Sequence, residues 1–284
     1  MEDSAMPATD QDRTLPETAA VEAVLNYAVE DAVMPVTVTP EFGGRDGNVA
    51  GTIVSHTVKI HDARPVKDLF TLDDNGFVLI THETAVTDFY EDDQIRRVYY
   101  PEMIDVVRTR SGSRRVVVFD HTVRHGDDGE RAVRKLREPV QRVHNDYTEW
   151  SAPQRVRDIM GAEAEALLER RFAVIQVWRP INRPVEREPL AFADGRSVPF
   201  EDYVIAERRY ANRVGQTYRV KYGPGHRWYY LPDMRPDEAL VFKVYDSARD
   251  GRVRFTAHSA FDDPTSAADA RPRESIEIRT LAFF

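Results

Sequence analysis

Gln141-Arg-Val-His-Asn-Asp-Tyr-Thr-Glu-Trp150 is the stretch on which the reading of this chain turns. It has the texture of a strand end. On a strand, residues i and i+2 face the same way, so the imidazole of His144 and the carboxylate of Asp146 converge on one side. Two such donors make half a metal site. Two histidines with one carboxylate leave coordination positions open, the arrangement of non-haem Fe(II) oxygenases. The third donor is expected at His258, in Phe255-Thr-Ala-His-Ser-Ala-Phe261, a short apolar stretch so far along the chain that only a long-range fold unites the three.

Other histidines compete. His125-Gly-Asp127 repeats the spacing, but within His125-Gly-Asp-Asp-Gly129, a polar stretch that reads as a hairpin turn. The adjacent pairs Asp120/His121 and His61/Asp62 would face opposite sides of a strand, and His56 and His82 have no carboxylate two residues on. His226, in the turn-like Gly223-Pro-Gly-His-Arg-Trp228, is the main rival for third ligand and otherwise a substrate contact. What favours His258 lies downstream of it, where Arg273-Glu-Ser275 puts a guanidinium and a hydroxyl on one strand face. That pair suits a carboxylate, and in particular the distal carboxylate of a dicarboxylate cosubstrate. Arg271 has the same parity but lacks a hydroxyl two residues on, and ranks second; Arg279 also competes.

Composition narrows the classes. The 284 residues suffice for a sizeable core. Acidic residues outnumber basic ones, 48 to 39, for a net charge of −9 without long single-sign blocks, so nucleic acid and anionic membrane are poor partners. No apolar run approaches membrane-spanning length, and Met1-Glu-Asp-Ser-Ala-Met-Pro7 lacks the basic and apolar regions of an export signal. The absence of cysteine removes disulfides, thiolate metal sites and a cysteine nucleophile together. A cytoplasmic protein acting on a small molecule is the expectation, with any metal held by histidine and carboxylate.

In chain order, residues 1–20 read as a flexible tail, 21–284 as a single domain, and Val21 to Val33 as a short helix. Val36-Thr-Val-Thr39, Val49 to His56, Val58-Lys-Ile60 and Gly76 to Ile80 are strand-like. Asp88 to Arg110 reads as a helix ended by Gly112 and interrupted by Pro101. Arg114 to Arg124 is the clearest strand. Ser151 caps a helix running to about Arg171, followed by a buried strand from Phe172 to Trp178. Further strands are expected at Tyr203–Arg209, Thr217–Tyr222, Trp228–Leu231, Ala239–Tyr245, Val253–His258 and Ile276–Arg279. Many short strands with few helices predict a mainly β fold, a jelly roll with the ligands facing one another across a barrel mouth.

Six runs in one order carry a family resemblance: Val143 to Thr148, Val177 to Ile181, His226 to Met234, Phe242 to Ser247, His258 to Pro264 and Arg271 to Arg279. They resemble the hydroxylase/desaturase family that includes the cephem 7α-methoxylase small subunit, AsaB-type proteins and gibberellin desaturase, over about residues 70 to 284. The resemblance implies an Fe(II)/2-oxoglutarate-dependent oxygenase on a cupin-like double-stranded β-helix with flanking helices. It would consume O2 and release succinate and CO2 while hydroxylating, desaturating or cyclising a metabolite. By the same resemblance His144, Asp146 and His258 bind iron, and Arg273 and Ser275 bind the 2-oxoglutarate tail. Arg179, Trp178, His226 and Tyr229 are candidate substrate contacts, although a strand-end ion pair explains Arg179 and core packing explains the aromatics. Two other readings stay open: an accessory subunit supporting a partner tailoring enzyme, and an O2-independent metal-dependent isomerase or lyase. Assembly as a homodimer is equally compatible with the sequence.

Overall fold

A computed structural model describes residues 15–30, 33–38, 47–211 and 214–284. The tail expected over 1–20 lies outside the described residues up to position 14, and Leu15 is already buried in the core. The strands among the described residues are β1 (Ala20–Ala28), β2 (Val36–Val38), β3 (Gly47–Ala50), β4 (Ile53–Asp62), β5 (Phe77–Thr81), β6 (Arg115–His125), β7 (His144–Asn145), β8 (Phe172–Pro180), β9 (Leu190–Ala193), β10 (Tyr203–Arg209), β11 (Val214–Val220), β12 (Trp228–Tyr230), β13 (Glu238–Asp246), β14 (His258–Ala260) and β15 (Glu274–Phe283). They form a ten-stranded sheet in the order β1-β4-β12-β9-β14-β7-β11-β10-β2-β3 and a five-stranded sheet in the order β5-β13-β8-β15-β6. A parallel bridge from Ala28 to Lys221 ties β1 to the end of β11, so the larger sheet curls back on itself.

Strand β8 explains the layering. It is buried along its whole length because both faces of its sheet are covered. Phe172, Val174 and Trp178 share a core with Phe192, Tyr218 and Tyr229 of the larger sheet. Ala173, Ile175 and Val177 alternate with them and pack with Tyr99, Met103 and Val107 on the helical side. Each such side chain contributes about 1.5–3 kcal/mol by leaving water. The same alternation runs through β13, with Leu240 and Phe242 inward and Ala239 and Val241 toward the helices. This is a double-stranded β-helix with few helices, as the sequence predicts.

One zone of the inward face is polar. Direct pairing puts Arg279 opposite Gln176 on β8 and Asp120 on β6, Glu277 opposite Trp178 and Thr122, and Ser275 opposite Arg124. Directly paired residues share a face, so these side chains all point toward the larger sheet. That zone positions the site.

Several elements differ from expectation. The helix expected over 21–33 is strand β1 as far as Ala28, with Ala23, Leu25 and Tyr27 buried and Glu22 and Val24 exposed. Pairing along the whole of β4 overrides the helical preference of Ala, Glu and Leu. The interrupted helix is continuous: α1 (Asp92–Gln94) passes through a π turn (Ile95–Tyr99) into α2 (Tyr100–Ser111). Pro101 falls just after that wider turn, where its missing N–H and ring are accommodated. Gly112, at φ 71°, ends the helix as expected.

The expected hairpin turn at 125–129 instead starts α3 (Asp128–Arg134), whose first turn is capped by Asp127 accepting from Glu130 N at 2.9 Å. The helix expected over 151–171 is two helices, α4 (Ser151–Met160) and α5 (Ala164–Leu168), joined by a 3-10 turn. Its capping hydroxyl belongs to Thr148, which accepts from Ser151 N at 3.0 Å and Trp150 N at 3.3 Å. Ser151 Oγ reciprocates by accepting from Thr148 N at 2.9 Å. Strand β9 was not foreseen, and the strand expected at 253–258 pairs only from His258 onward.

Candidate metal centre

His144 opens β7 and His258 opens β14, and the two are direct antiparallel partners, with ring centroids 4.3 Å apart. They are neighbours in one sheet, which corrects the expectation that they face one another across a barrel mouth. Both rings are fixed by the same local device. His144 Nδ1 lies 2.7 Å from the Arg142 carbonyl, and His258 Nδ1 lies 3.0 Å from the Thr256 carbonyl. A carbonyl only accepts, so each Nδ1 carries the hydrogen and each Nε2 keeps its lone pair. The Nε2 of His258 is buried and has no hydrogen-bond partner.

Asp146 follows β7 directly. Its Oδ1 lies 3.5 Å from His144 Nε2, while Oδ2 accepts from Gln176 Nε2 at 2.6 Å and faces Arg279 Nε at 3.6 Å. One ligating atom from each of His144, Asp146 and His258 lies within 4.8 Å of the other two. An orphaned buried nitrogen, two fixed tautomers and a carboxylate with one oxygen held from behind suit a divalent iron ion taking nitrogen and oxygen ligands. The protonation states agree. Burial pushes the Asp146 carboxyl up, but the Arg279 guanidinium, together with the Gln176 hydrogen bond, holds it well below the usual carboxylate range. Burial, with His258 alongside, pushes the His144 imidazole well below its ordinary value, so it is neutral. An ionised carboxylate and a neutral imidazole are the forms that bind metal.

Arg273 and Ser275 stand on the inward face of the five-stranded sheet. Arg273 is buried, donates from one terminal nitrogen to the Glu188 carbonyl at 2.6 Å, and lies 5.3 Å from the Trp178 ring. Its Nε and the Ser275 hydroxyl are both buried without partners. Burial, the leading cause, pulls the guanidinium down to about 10, and the nearby Glu188 and Glu277 offset it only in part. Two orphaned donors two residues apart suit a carboxylate.

The remaining candidates are elsewhere. Arg271 is turned to the surface and donates from Nε to Glu186 at 2.7 Å, so it is not brought to the anchor. Arg179 points to the helical side of β8, donating to the His82 carbonyl at 3.1 Å and to that of Pro236; adjacent to inward Trp178, it must face away. His226 lies 3.0 Å from Asp202, beside Tyr27, and is not among the gathered ligand atoms, which corrects it as rival for the third ligand. Tyr229 is core, edge-on to Phe70 at 5.0 Å. Trp178 is inward and beside the anchor. His125 accepts from Asp127 N at 3.0 Å within its own turn, and His121 bonds Tyr100 at 2.9 Å on the helical side.

Gln176 and Arg279 are the residues whose part at the carboxylate was missed. Each left a trace: Gln176 is the one amide in the apolar run from Phe172 to Trp178, and Arg279 shares the parity of Arg273 and Ser275. Beside Asp146 opens a cavity of about 290 Å3 walled by β6, α4, β10, β11 and Arg279.

A buried face of two histidines and one carboxylate on a double-stranded β-helix defines the non-haem iron oxygenase class. Comparison with known proteins narrows this. A family model described as "Oxidoreductase/YMDC permease-like domain" matches residues 25–283. The alpha-ketoglutarate-dependent dioxygenase phiK of Fungal sp. (strain ATCC 74256) is 36% identical over 235 residues, covering 80% of this chain and 84% of its own length. The hydroxylase/desaturase efuI of Hormonema carpetanum is 33% identical over 265 residues, covering 84% and 88%. Among solved structures, the iron and alpha-ketoglutarate-dependent endoperoxidase NvfI is similar with a TM-score of 0.82 at 28% identity, covering 93% of this chain and 98% of that one. The chain belongs to this hydroxylase/desaturase family of Fe(II)/2-oxoglutarate-dependent dioxygenases. Its cofactors are Fe(II), 2-oxoglutarate and O2. No helix among the described residues is long and apolar enough to cross a membrane.

Proposed function

We propose that His144, Asp146 and His258 hold the iron and that Arg273 with Ser275 grips the distal carboxylate of 2-oxoglutarate. On this reading the enzyme oxidises a C–H bond of a small molecule of specialised metabolism, leaving it hydroxylated, desaturated or cyclised. The observation that carries the reading is the convergence of three ligating atoms within 4.8 Å from two distant parts of the chain. Iron with 2-oxoglutarate and O2 supplies the oxidising power, with succinate and CO2 released.

The chain's own residues supply position. The carbonyls of Arg142 and Thr256 stop the imidazoles from rotating, and Gln176 and Arg279 hold the far oxygen of Asp146 so that the near one faces the histidines. Trp178 covers one side of Arg273 and keeps water from it, which strengthens a charged contact there.

All three ligands come from one chain, which supports a self-sufficient enzyme over an accessory subunit; a homodimer is compatible with this. A cytoplasmic setting and one catalytic domain over 21–284 complete the proposal, the former supported by the lack of any cysteine for disulfides. Asp146→Ala is expected to abolish iron-dependent succinate formation, and full retention would remove Asp146 from the ligand set. Arg273→Ala is expected to raise the apparent Km for 2-oxoglutarate roughly 10- to 100-fold, since a charged hydrogen bond is worth about 1.5–3 kcal/mol. A change in iron affinity alone would remove the anchor role.

A further inference from the structure

We infer that the substrate is an uncharged, largely apolar molecule that puts its reacting end into the cavity beside Asp146 and lays the rest of its skeleton around strand β6, in a second and larger groove. This deepens the proposed function and rests on the iron assignment made there. The cavity beside Asp146, at about 290 Å3, is near the lower end of small-molecule sites. A groove of about 660 Å3 adjoins it, and Asp120, His121, Thr122 and Arg137 line both.

The passage exists because β6 is the last strand of its sheet. β15 pairs with one edge of it, and among the described residues no named strand pairs with the other. Only the end of that edge is covered, where Arg124 and Arg137 bridge: His125 N donates to the Arg137 carbonyl at 3.0 Å, and the Val123 carbonyl accepts from Arg137 N at 3.5 Å. Residues 123 and 125 therefore turn their peptide groups outward, and by the two-residue period so does His121. An open edge invites another strand unless a neighbouring element stands against it. Here α1, α3 and the segment after α3 flank it and make it one wall of the groove. That wall can hydrogen-bond a hydroxyl or carbonyl oxygen.

The floor of the groove is apolar. Phe89 and Ile95, both buried in the core on the helical side, meet Tyr90, Phe119, Val123 and Leu136 there. The rim is charged, and its charges are paired. Asp92 accepts from Arg96 at 2.6 Å, Glu130 accepts from Arg134 at 2.8 Å, and Arg134 also covers the Tyr90 ring at 4.3 Å. Tyr90 donates its hydroxyl hydrogen to Glu274 at 2.6 Å, and Asp120 accepts from Arg279 at 3.0 Å. Lys135 and Arg137 are engaged as well.

The same holds for the cations of the smaller cavity. Arg155 interacts with Tyr147 and lies 5.5 Å from the Phe119 ring, Arg208 has a partner and lies 5.6 Å from the Tyr210 ring, and Arg124 donates to the Glu138 carbonyl at 2.9 Å. A charged substrate would have to break such a pair and shed its own hydration to enter, whereas an uncharged one leaves every pair intact. An apolar floor within a satisfied polar rim takes its affinity from the skeleton of the ligand and its orientation from a few oxygens.

The test uses the full chain loaded anaerobically with Fe(II) and saturating 2-oxoglutarate, with 1-butanol, 1-hexanol and 1-octanol as uncharged probes and octanoate and octylammonium as charged ones. Calorimetry of the wild type is expected to show the Kd of the alcohols tightening roughly threefold per added methylene, as burial of a chain requires, with both ions at least tenfold weaker than 1-octanol. Leu136→Trp fills the groove and Leu136→Asp puts a charge in it. In both variants, folded by circular dichroism, the gain per methylene is expected to shrink toward onefold. Saturating 1-octanol is also expected to shift the visible charge-transfer band of the loaded wild type, because one end of it lies beside Asp146. A Kd independent of chain length, an ion that binds as tightly as the alcohol, a length dependence that survives both substitutions, or a band that 1-octanol leaves unmoved overturns the assignment. The metal-free chain separates the two levels. If no band develops on loading, the iron assignment falls while the alcohol series in the metal-free chain still reads the groove, whereas a band without length dependence sinks the substrate assignment alone.

Discussion

His144 and His258 owe their usefulness to carbonyls two residues upstream, and Asp146 owes its own to Gln176 and Arg279. Replacing Gln176 with Ala is therefore expected to lower Fe(II) affinity about 10- to 100-fold with the fold retained, as loss of an outer partner does at other metal sites. Anaerobic titration checks this, and unchanged affinity would mean that Arg279 alone orients the carboxylate. At this scale the sequence was legible where spacing is local. The interval between His144 and Asp146 needs only a strand's period, and Arg273 and Ser275 repeat it. Arg179 stays ambiguous in sequence for a physical reason: both faces of β8 are buried, so nothing local tells which of Trp178 and Arg179 points inward. Arg271, second in rank to Arg273, pairs instead with Glu186 in a remote loop, a partner that no local pattern shows.

Thr148 links the centre to α4. Its hydroxyl caps the helix two residues after Asp146, and its own N–H is held by Ser151 Oγ. Thr148→Ala is expected to cost about 1 kcal/mol of stability, within the 0.5–2 kcal/mol range of cap losses, measured as a lower urea midpoint at unchanged m. No change in midpoint would show that the Trp150 and Ser151 N–H groups find other partners. Long apolar strands such as β8 and β13 were readable from β-branched and aromatic runs. Strand β1 was not, because Ala20-Val-Glu-Ala-Val-Leu25 favours a helix until β4 pairs with it. Strands β7 and β14, two and three residues long, form because each is paired on both sides, with each other at the two histidines and with β11 and β9 respectively.

At the scale of the molecule, two sheets enclose an apolar core that turns polar where β6, β8 and β15 face the metal ligands. The class of fold was legible from strand density, but strand order was not, since it depends on pairings between remote segments. Burial has a further consequence for the histidines. Burial is the leading cause that lowers the imidazole pKa of His82, His121, His144 and His226. Below the ordinary value of 6.5 the unfolded chain binds protons at these positions that the folded one resists, so stability falls as pH drops through that region. The metal-free protein is expected to show a lower denaturation midpoint near pH 5.5 than near pH 7.5. A midpoint that is equal or higher at the acid end would contradict the burial of these rings.

The most direct test of the centre itself is an anaerobic optical titration of the full chain with Fe(II) and 2-oxoglutarate. The wild type should develop a weak visible charge-transfer band that needs both additions and saturates at one iron per chain. His258→Ala, folded by circular dichroism, should fail to develop it. An undiminished band at the same stoichiometry in that variant would contradict the three-ligand centre.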